Sequence, residues 1–207
     1  MDDARRVREF WFGRLPLERA ALNERMQVWF AGEADAPRAR ELDAALRAEF
    51  GARVEAALRG ELAAWADGPR RRLSLIILLD QFTRNIYRGR ARAYAGDEQA
   101  LALALSGMQS GADAALDPVE RIFFYMPLQH AESPEVQEES VAAYRRLLGE
   151  APQPLHSCFA DTLKDAELHA SIIHRFGRFP QRNAVLRRVS TLEEGAYLRE
   201  ADDFGQS

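Results

Sequence analysis

The segment Leu73-Ser74-Leu75-Ile76-Ile77-Leu78-Leu79 limits what this chain can fold into more than any other. It is apolar on nearly every side, and a helix of that kind belongs in the middle of a molecule. Its unbroken apolar run, Leu75 to Leu79, is far short of the roughly 20 residues that span a bilayer. The expectation is a buried core helix and no membrane partner. Read as a strand it would need a neighbour of similar character, and the sequence offers none. The turn Asp67-Gly68-Pro69 launches it.

The rest of the chain carries helical periodicity, with no stretch of sustained apolar and polar alternation. Val7, Phe10 and Trp11 share one face of a first helix over about Asp3 to Phe12. A second, from about Leu17, carries Leu22, Met26 and Trp29-Phe30. A third runs from about Pro37 to Gly60, with Leu46, Phe50, Val54 and Leu58 at every fourth residue. Asp97 reads as the cap of a helix lined by Leu101, Leu105 and Met108. Asp117-Pro118-Val119-Glu120 combines an N-cap, a first-turn proline and an acid at the third position. Pro127 should break the helix that follows. Ser133-Pro134 starts the next, Leu155 to Phe176 forms a long one closed by Gly177, and Thr191 to Glu194 is a capping box for the last, with Tyr197 and Leu198 facing inward. The expected fold is all-α, roughly nine or ten helices in short-looped antiparallel hairpins, tetratricopeptide-like around Pro118 to Leu148.

Length leaves the domain count open, and without a Ser/Gly tract or a long run of like charge the reading is one helical domain over residues 1–207. A single cysteine, Cys158, excludes an intrachain disulfide, and no signal-peptide core follows Met1. The expected compartment is the reducing cytoplasm.

Charge is unevenly spread. The chain carries −4 overall, which argues against nucleic acid as a partner. Yet seven arginines and one acid, Asp80, lie between Arg70 and Gly96, and Arg175, Arg178, Arg182, Arg187 and Arg188 occur without any acid between His169 and Val189. Lys164 is the only lysine, as a genomic bias toward arginine would produce.

Polar residues break the apolar pattern in three places. Asp80-Gln81-Phe82-Thr83-Arg84-Asn85 follows directly on the buried segment. A charge emerging from a core is costly unless paired or wetted, so this end either meets a polar element or opens onto a cavity; Asp80 and Arg84, at i and i+4, can pair. The bland alternative is a structural ion pair anchoring a helix end. In the second place, Arg175 to Asn183, arginines alternate with Phe176 and Phe179 through a Gly/Pro turn, suited to converging on an anion. Surface or stacking arginines are the competing reading. In the third, His130 and Glu132 follow Pro127, and His169 sits one helical turn after Asp165, whose carboxylate can orient its ring.

No metal-binding spacing, nucleotide-binding glycine loop or Gly-x-Ser-x-Gly elbow is present, so no metal or cofactor is expected. Cys158, between helical apolar residues, reads as a small buried hydrophobe, and His156 and His174 as surface or packing residues.

Phe10 to Gly13, Gly60 to Ala66, Leu73 to Asn85 with Arg88-Gly89, Tyr125 to Glu132, and Arg175 to Asn183 together resemble the bacterial family known as domain of unknown function 924. The resemblance implies a helical fold grouped with tetratricopeptide-like proteins and no established activity. It places the family's characteristic polar residues on Asp80, Gln81, Arg84, Asn85, His130, Glu132, His169, Arg178, Arg182 and Asn183. Thr83 stands where the family commonly has proline, Ala131 where it has serine and Gln181 where it has histidine.

Two functions follow as expectations. One is a binding module whose arginine-lined pocket, from Asp80, Gln81, Arg84, Asn85, Arg178, Arg182 and Asn183, takes an anionic small molecule or acidic peptide. The other is an enzyme on a phosphorylated or carboxylated metabolite, with His130 or His169 as general base oriented by Glu132 or Asp165. Trp29, Phe30 and Phe50 are candidates for apolar area offered to a partner.

Overall fold

A computed structural model describes residues 2–30 and 35–199. Among the described residues there are helices and turns and no strand. The α-helical segments are α1 (Asp3–Phe12), α2 (Arg19–Trp29), α3 (Ala36–Leu58), α4 (Pro69–Ile77), α5 (Thr83–Ile86), α6 (Asp97–Gln109), α7 (Pro118–Gln129), α8 (Pro134–Glu150), α9 (His156–Phe176) and α10 (Leu192–Tyr197).

Local chemistry sets many of the boundaries. Asp2 accepts the Ala4 N–H to begin α1, and Gly13, at φ 72, ends it by returning its N–H to Glu9. Asp117 and Glu120 form the expected capping box on α7, and Thr191 and Glu194 form one on α10. On α3, Leu46, Phe50 and Val54 are wholly buried, so the four-residue stripe is the packed face.

The core is organised around two helices buried on all sides. One is the rod made of α4, a π turn over Leu78–Phe82, and α5, buried at every position from Leu73 to Ile86. The other is α7, buried at every position from Val119 to Gln129. α4 touches α1, α6 and α7, the π turn and α5 lie against α3, and α8 packs between α7 and α9. Trp11, Trp29, Phe82 and Phe123 fill the space between these layers, with ring centroids 4.7 to 6.1 Å apart in the contacting pairs. Trp29 also donates its indole N–H to the Trp11 carbonyl at 3.0 Å.

Several expectations need correction. Pro127 does not break α7, which continues to Gln129. The proline lies in the last turn, and Gln137 of α8 donates to the carbonyls of Leu128, Gln129 and Ala131, supplying the partners that the helix end lacks. Asp97 is not the cap of α6: Gly96 precedes the helix, and the Asp97 carboxylate turns toward Arg84. Leu198 is exposed rather than inward, because α10 sits on a small separate cluster of Ile172, Ile173, Phe176, Phe179 and Tyr197. Of the three residues offered for a partner face, Trp29 and Phe50 are buried and Phe30 is exposed.

Candidate functional site

The site begins where the buried rod changes its winding. At Leu78–Phe82 the helix widens by one residue into a π turn, and the N–H and hydroxyl of Thr83 both reach the Leu78 carbonyl. Such turns recur at functional sites, because they aim a side chain that regular winding would point elsewhere. The turn carries Asp80, which has no exposed surface.

Asp80 is fully engaged. It accepts from the Arg84 guanidinium at 2.9 Å, from Nδ1 of His130 at 2.6 Å, and from the Gln81 amide. Gln81 also lies 3.1 Å from the sulfur of Met126. Burial alone would raise the Asp80 pKa. The Arg84 charge and the hydrogen bonds from His130 and Gln81 outweigh it, holding the carboxyl well below the usual range.

Arg84 then bridges outward. Its two terminal nitrogens grip Asp97, the first residue of α6, at 2.9 and 3.0 Å, in a fork that fits a carboxylate. Although burial disfavours the charge, Asp80 and Asp97 raise the Arg84 pKa. α6 comes this close because Gly96 packs on the rod: a Cβ there would collide with the carbonyl oxygen of Leu79.

The second arginine-rich stretch arrives from the C-terminal side. After Gly177, at φ 69, a short turn over Pro180–Arg182 places Arg182 against the first cluster. Arg182 donates to the main-chain carbonyl of His130 at 3.0 Å and meets Asp97 at 3.5 Å. Its guanidinium lies over the rings of both Tyr94 and Phe179, at 4.8 and 4.4 Å. Burial and the like charge of Arg84 lower its pKa.

Two imidazoles complete the group. His130 caps the end of α7, and its ring lies 6.3 Å from that of His169 on α9, which in turn lies 5.5 Å from Phe179. Because a carboxylate accepts the Nδ1 proton of His130 and a main-chain carbonyl that of His169, both neutral rings are fixed as the Nδ1–H tautomer. The partner of His169 is the carbonyl of Asp165 at 2.7 Å and not its carboxylate, since the preceding turn of α9 presents its main chain to that ring. Burial lowers both histidine pKa values, helped by the Arg84 charge at His130 and by His130 at His169, which falls to about 4. Near neutral pH both rings are uncharged. The His130 side chain keeps 16% of its surface exposed, and no hydrogen bond from a described residue engages its Nε2.

Thus Asp80, Gln81, Arg84, His130, His169 and Arg182 come together, and the other candidates do not join them directly. Asn85 donates to Asp43 of α3 at 2.9 Å, beside an Arg88–Asp43 pair. Arg178 grips Glu194 at 2.6 and 2.8 Å and is 30% exposed. Asn183 donates to Ser190 and Glu194. Glu132 accepts the Phe179 N–H at 2.8 Å and two bonds from Arg188, and these lower its pKa against burial. Its carboxylate therefore holds the strand of chain that carries Phe179 and Arg182. Gln181, where the resemblance leads one to expect histidine, leaves its side-chain oxygen buried and without a partner among the described residues.

Sequence reasoning missed Tyr94 and the role of Asp97. Asp97 ends an arginine-rich stretch, which is a signal for charge pairing, but helix-start patterns explained it first. Among the described residues no group of three or more histidine, cysteine, aspartate or glutamate side chains is placed to hold a metal ion, and no helix is long and apolar enough to cross a membrane.

Comparison with known proteins matches the chain to a family. No curated protein matches the chain. A solved structure of a protein of unknown function from Agrobacterium tumefaciens is 33% identical, covering 96% of this chain and 97% of that one with a TM-score of 0.75. The model of the family described as bacterial protein of unknown function DUF924 matches residues 7–202, and the chain belongs to that family.

Proposed function

We propose that this protein is a cytoplasmic enzyme acting on a small carboxylated or phosphorylated metabolite, with His130 as general base. One observation carries the reading: the imidazole of His130 is neutral and held at Nδ1 by a buried carboxylate, and the guanidinium of Arg182 is bonded to the main-chain carbonyl of the same residue. A base oriented this way takes a proton at Nε2 from a substrate hydroxyl or from water, while the adjacent Asp80 charge stabilises the imidazolium that forms. Arg182 is the cation available to a ligand anion, because its own carboxylate contact is long, at 3.5 Å. Arg84 is committed to Asp80 and Asp97 and acts by keeping that frame rigid. An acidic peptide suits the site less than a small molecule, since the Arg84 and Arg182 side chains are only 9% and 10% exposed.

The second reading is a binding module without chemistry, favoured by the balanced charges of the cluster. A thermal-shift screen of carboxylated and phosphorylated metabolites separates the two. The enzyme reading expects stabilisation that Arg182→Gln removes, and turnover of a stabilising compound that His130→Gln lowers by roughly 10²-fold or more while binding persists. Stabilisation with no turnover of any stabilising compound supports the module. No stabilisation by any anion overturns both.

A further inference from the structure

The chemistry facing His130 and Arg182 narrows the ligand, in an argument that rests on the reading above. Three groups set the terms. The first is a hydrogen-bond acceptor. With its Nδ1 proton donated to Asp80, the neutral His130 ring can offer only a lone pair at Nε2. A ligand atom meeting it must bring a proton, as a hydroxyl does and a carboxylate or fully ionised phosphate oxygen does not.

The second is the charge balance. Asp80 and Asp97 carry two negative charges, Arg84 and Arg182 two positive ones, and the four are joined in one chain of contacts. Tyr94, beside both arginines, keeps its phenol proton because burial raises its pKa. Glu132 is balanced by Arg188. Among the described residues the site therefore holds no surplus cation. A monoanion can take Arg182 by replacing its long contact with Asp97. A phosphate dianion would set two negative charges beside two fixed carboxylates, and in a poorly hydrated site that repulsion is costly.

The third is the pair of rings around Arg182. Tyr94 and Phe179 cover the guanidinium at 4.8 and 4.4 Å, and of its two terminal nitrogens one is bonded to the His130 carbonyl while the other makes only the long Asp97 contact, which is the edge a planar anion would take over. A carboxylate fits an arginine edge as a fork.

We infer that the ligand is a small hydroxy carboxylate, bound as a monoanion with its carboxylate on Arg182 and its hydroxyl donating to Nε2 of His130. The hydroxyl is then the group from which His130 takes a proton.

Calorimetric titration of the full chain near neutral pH tests this with lactate and 3-hydroxybutyrate, their counterparts propionate and butyrate that lack the hydroxyl, and inorganic phosphate. The expected result is that at least one hydroxy acid binds 10-fold or more tighter than its counterpart and that phosphate binds more weakly than either hydroxy acid. His130→Phe, which keeps the ring and removes both nitrogens, should reduce the preference to within about 2-fold, and Arg182→Gln should weaken all the acids together. The wild-type ratio stands as a measurement even where a variant fails to fold. Equal binding of hydroxy acid and counterpart, or tighter binding of phosphate, overturns the inference and leaves the anion-site reading in place. No binding by any of these probes overturns the inference as well, and the metabolite screen then decides the broader reading separately.

Discussion

His130 and Asp80 lie fifty residues apart in the chain, yet Nδ1 of one is 2.6 Å from Oδ1 of the other, with the carboxylate entirely shielded from solvent. Each is a liability alone: the carboxylate would be a buried charge, and the imidazole would lack a partner for its N–H. Together with Arg84 they satisfy one another, and the apolar rod can end inside the molecule without leaving an unpaired charge there.

The first prediction follows from that dependence. Asp80→Asn removes the negative charge that Arg84 and His130 share, leaving Arg84 with Asp97 alone. Breaking a buried pair in this way costs on the order of 3–5 kcal/mol. Urea denaturation should show a loss of that size at pH 7, and a loss below about 1 kcal/mol would mean that the carboxylate is not held as described.

The second concerns acid. Burial first, with nearby positive groups, holds both histidine pKa values below the ordinary 6.5. The folded state therefore binds their protons less readily than the unfolded chain. Stability is full above about pH 6.5 and declines as pH falls from there toward the folded values, which for His169 is about 4. For His169 the full interval corresponds to roughly 3 kcal/mol, an upper bound because the ring is partly solvated. Asp80 is depressed in the other group's favour, so its contribution persists through this window and is lost only in stronger acid. Unfolding free energies between pH 7 and 4.5 should fall, and His169→Gln should flatten the slope. An unchanged slope in that variant would remove His169 from the account.

The third rests on close approach. Gly96 lets the start of α6 touch the main chain at Leu79, and a Cβ there would meet main-chain atoms that cannot move aside independently. Gly96→Ala should displace Asp97 from Arg84 and cost about 1–3 kcal/mol, as overpacking does. Chemical denaturation measures the cost. Gly51, whose added Cβ would meet open space within a helix, is the control: alanine there should be neutral or stabilising.

How much of this was legible beforehand varies with the physics involved. The buried rod showed in the pattern, since only a central helix can be apolar on every side. The two arginine-rich stretches stood out by their lack of acids, which marked them as segments to be paired from elsewhere but left open whether they meet. What the pattern hid was which carboxylates. Asp97 has two possible roles, cap and ion partner, and only the packing of Gly96 on Leu79 decides between them. Pro127 misled because it stands in the last turn of α7, where its missing N–H costs a single bond and the carbonyls of the helix end are taken up by Gln137, a residue of the next helix. Arg178 and Arg182 are indistinguishable by composition. Glu194, brought back by the α10 capping box, takes Arg178, and the turn at Pro180 delivers Arg182 inward.

That division gives the last prediction. Arg178 and Arg182 stand four residues apart, but Arg178, itself partly exposed, pairs with Glu194 whereas Arg182 shares Asp97 with Arg84. Glu194 is buried, with its pKa lowered to about 2 chiefly by the Arg178 hydrogen bond. Arg178→Ala strips that partner and should weaken the C-terminal segment, exposing its amides to faster hydrogen exchange while leaving anion binding within a few-fold of wild type. Arg182→Gln should do the reverse, removing anion binding with a smaller change in exchange over residues 183–199. If Arg178→Ala abolishes binding while exchange at the segment is unchanged, then Arg178 is the residue that meets the ligand and the assignment of roles within this stretch is inverted.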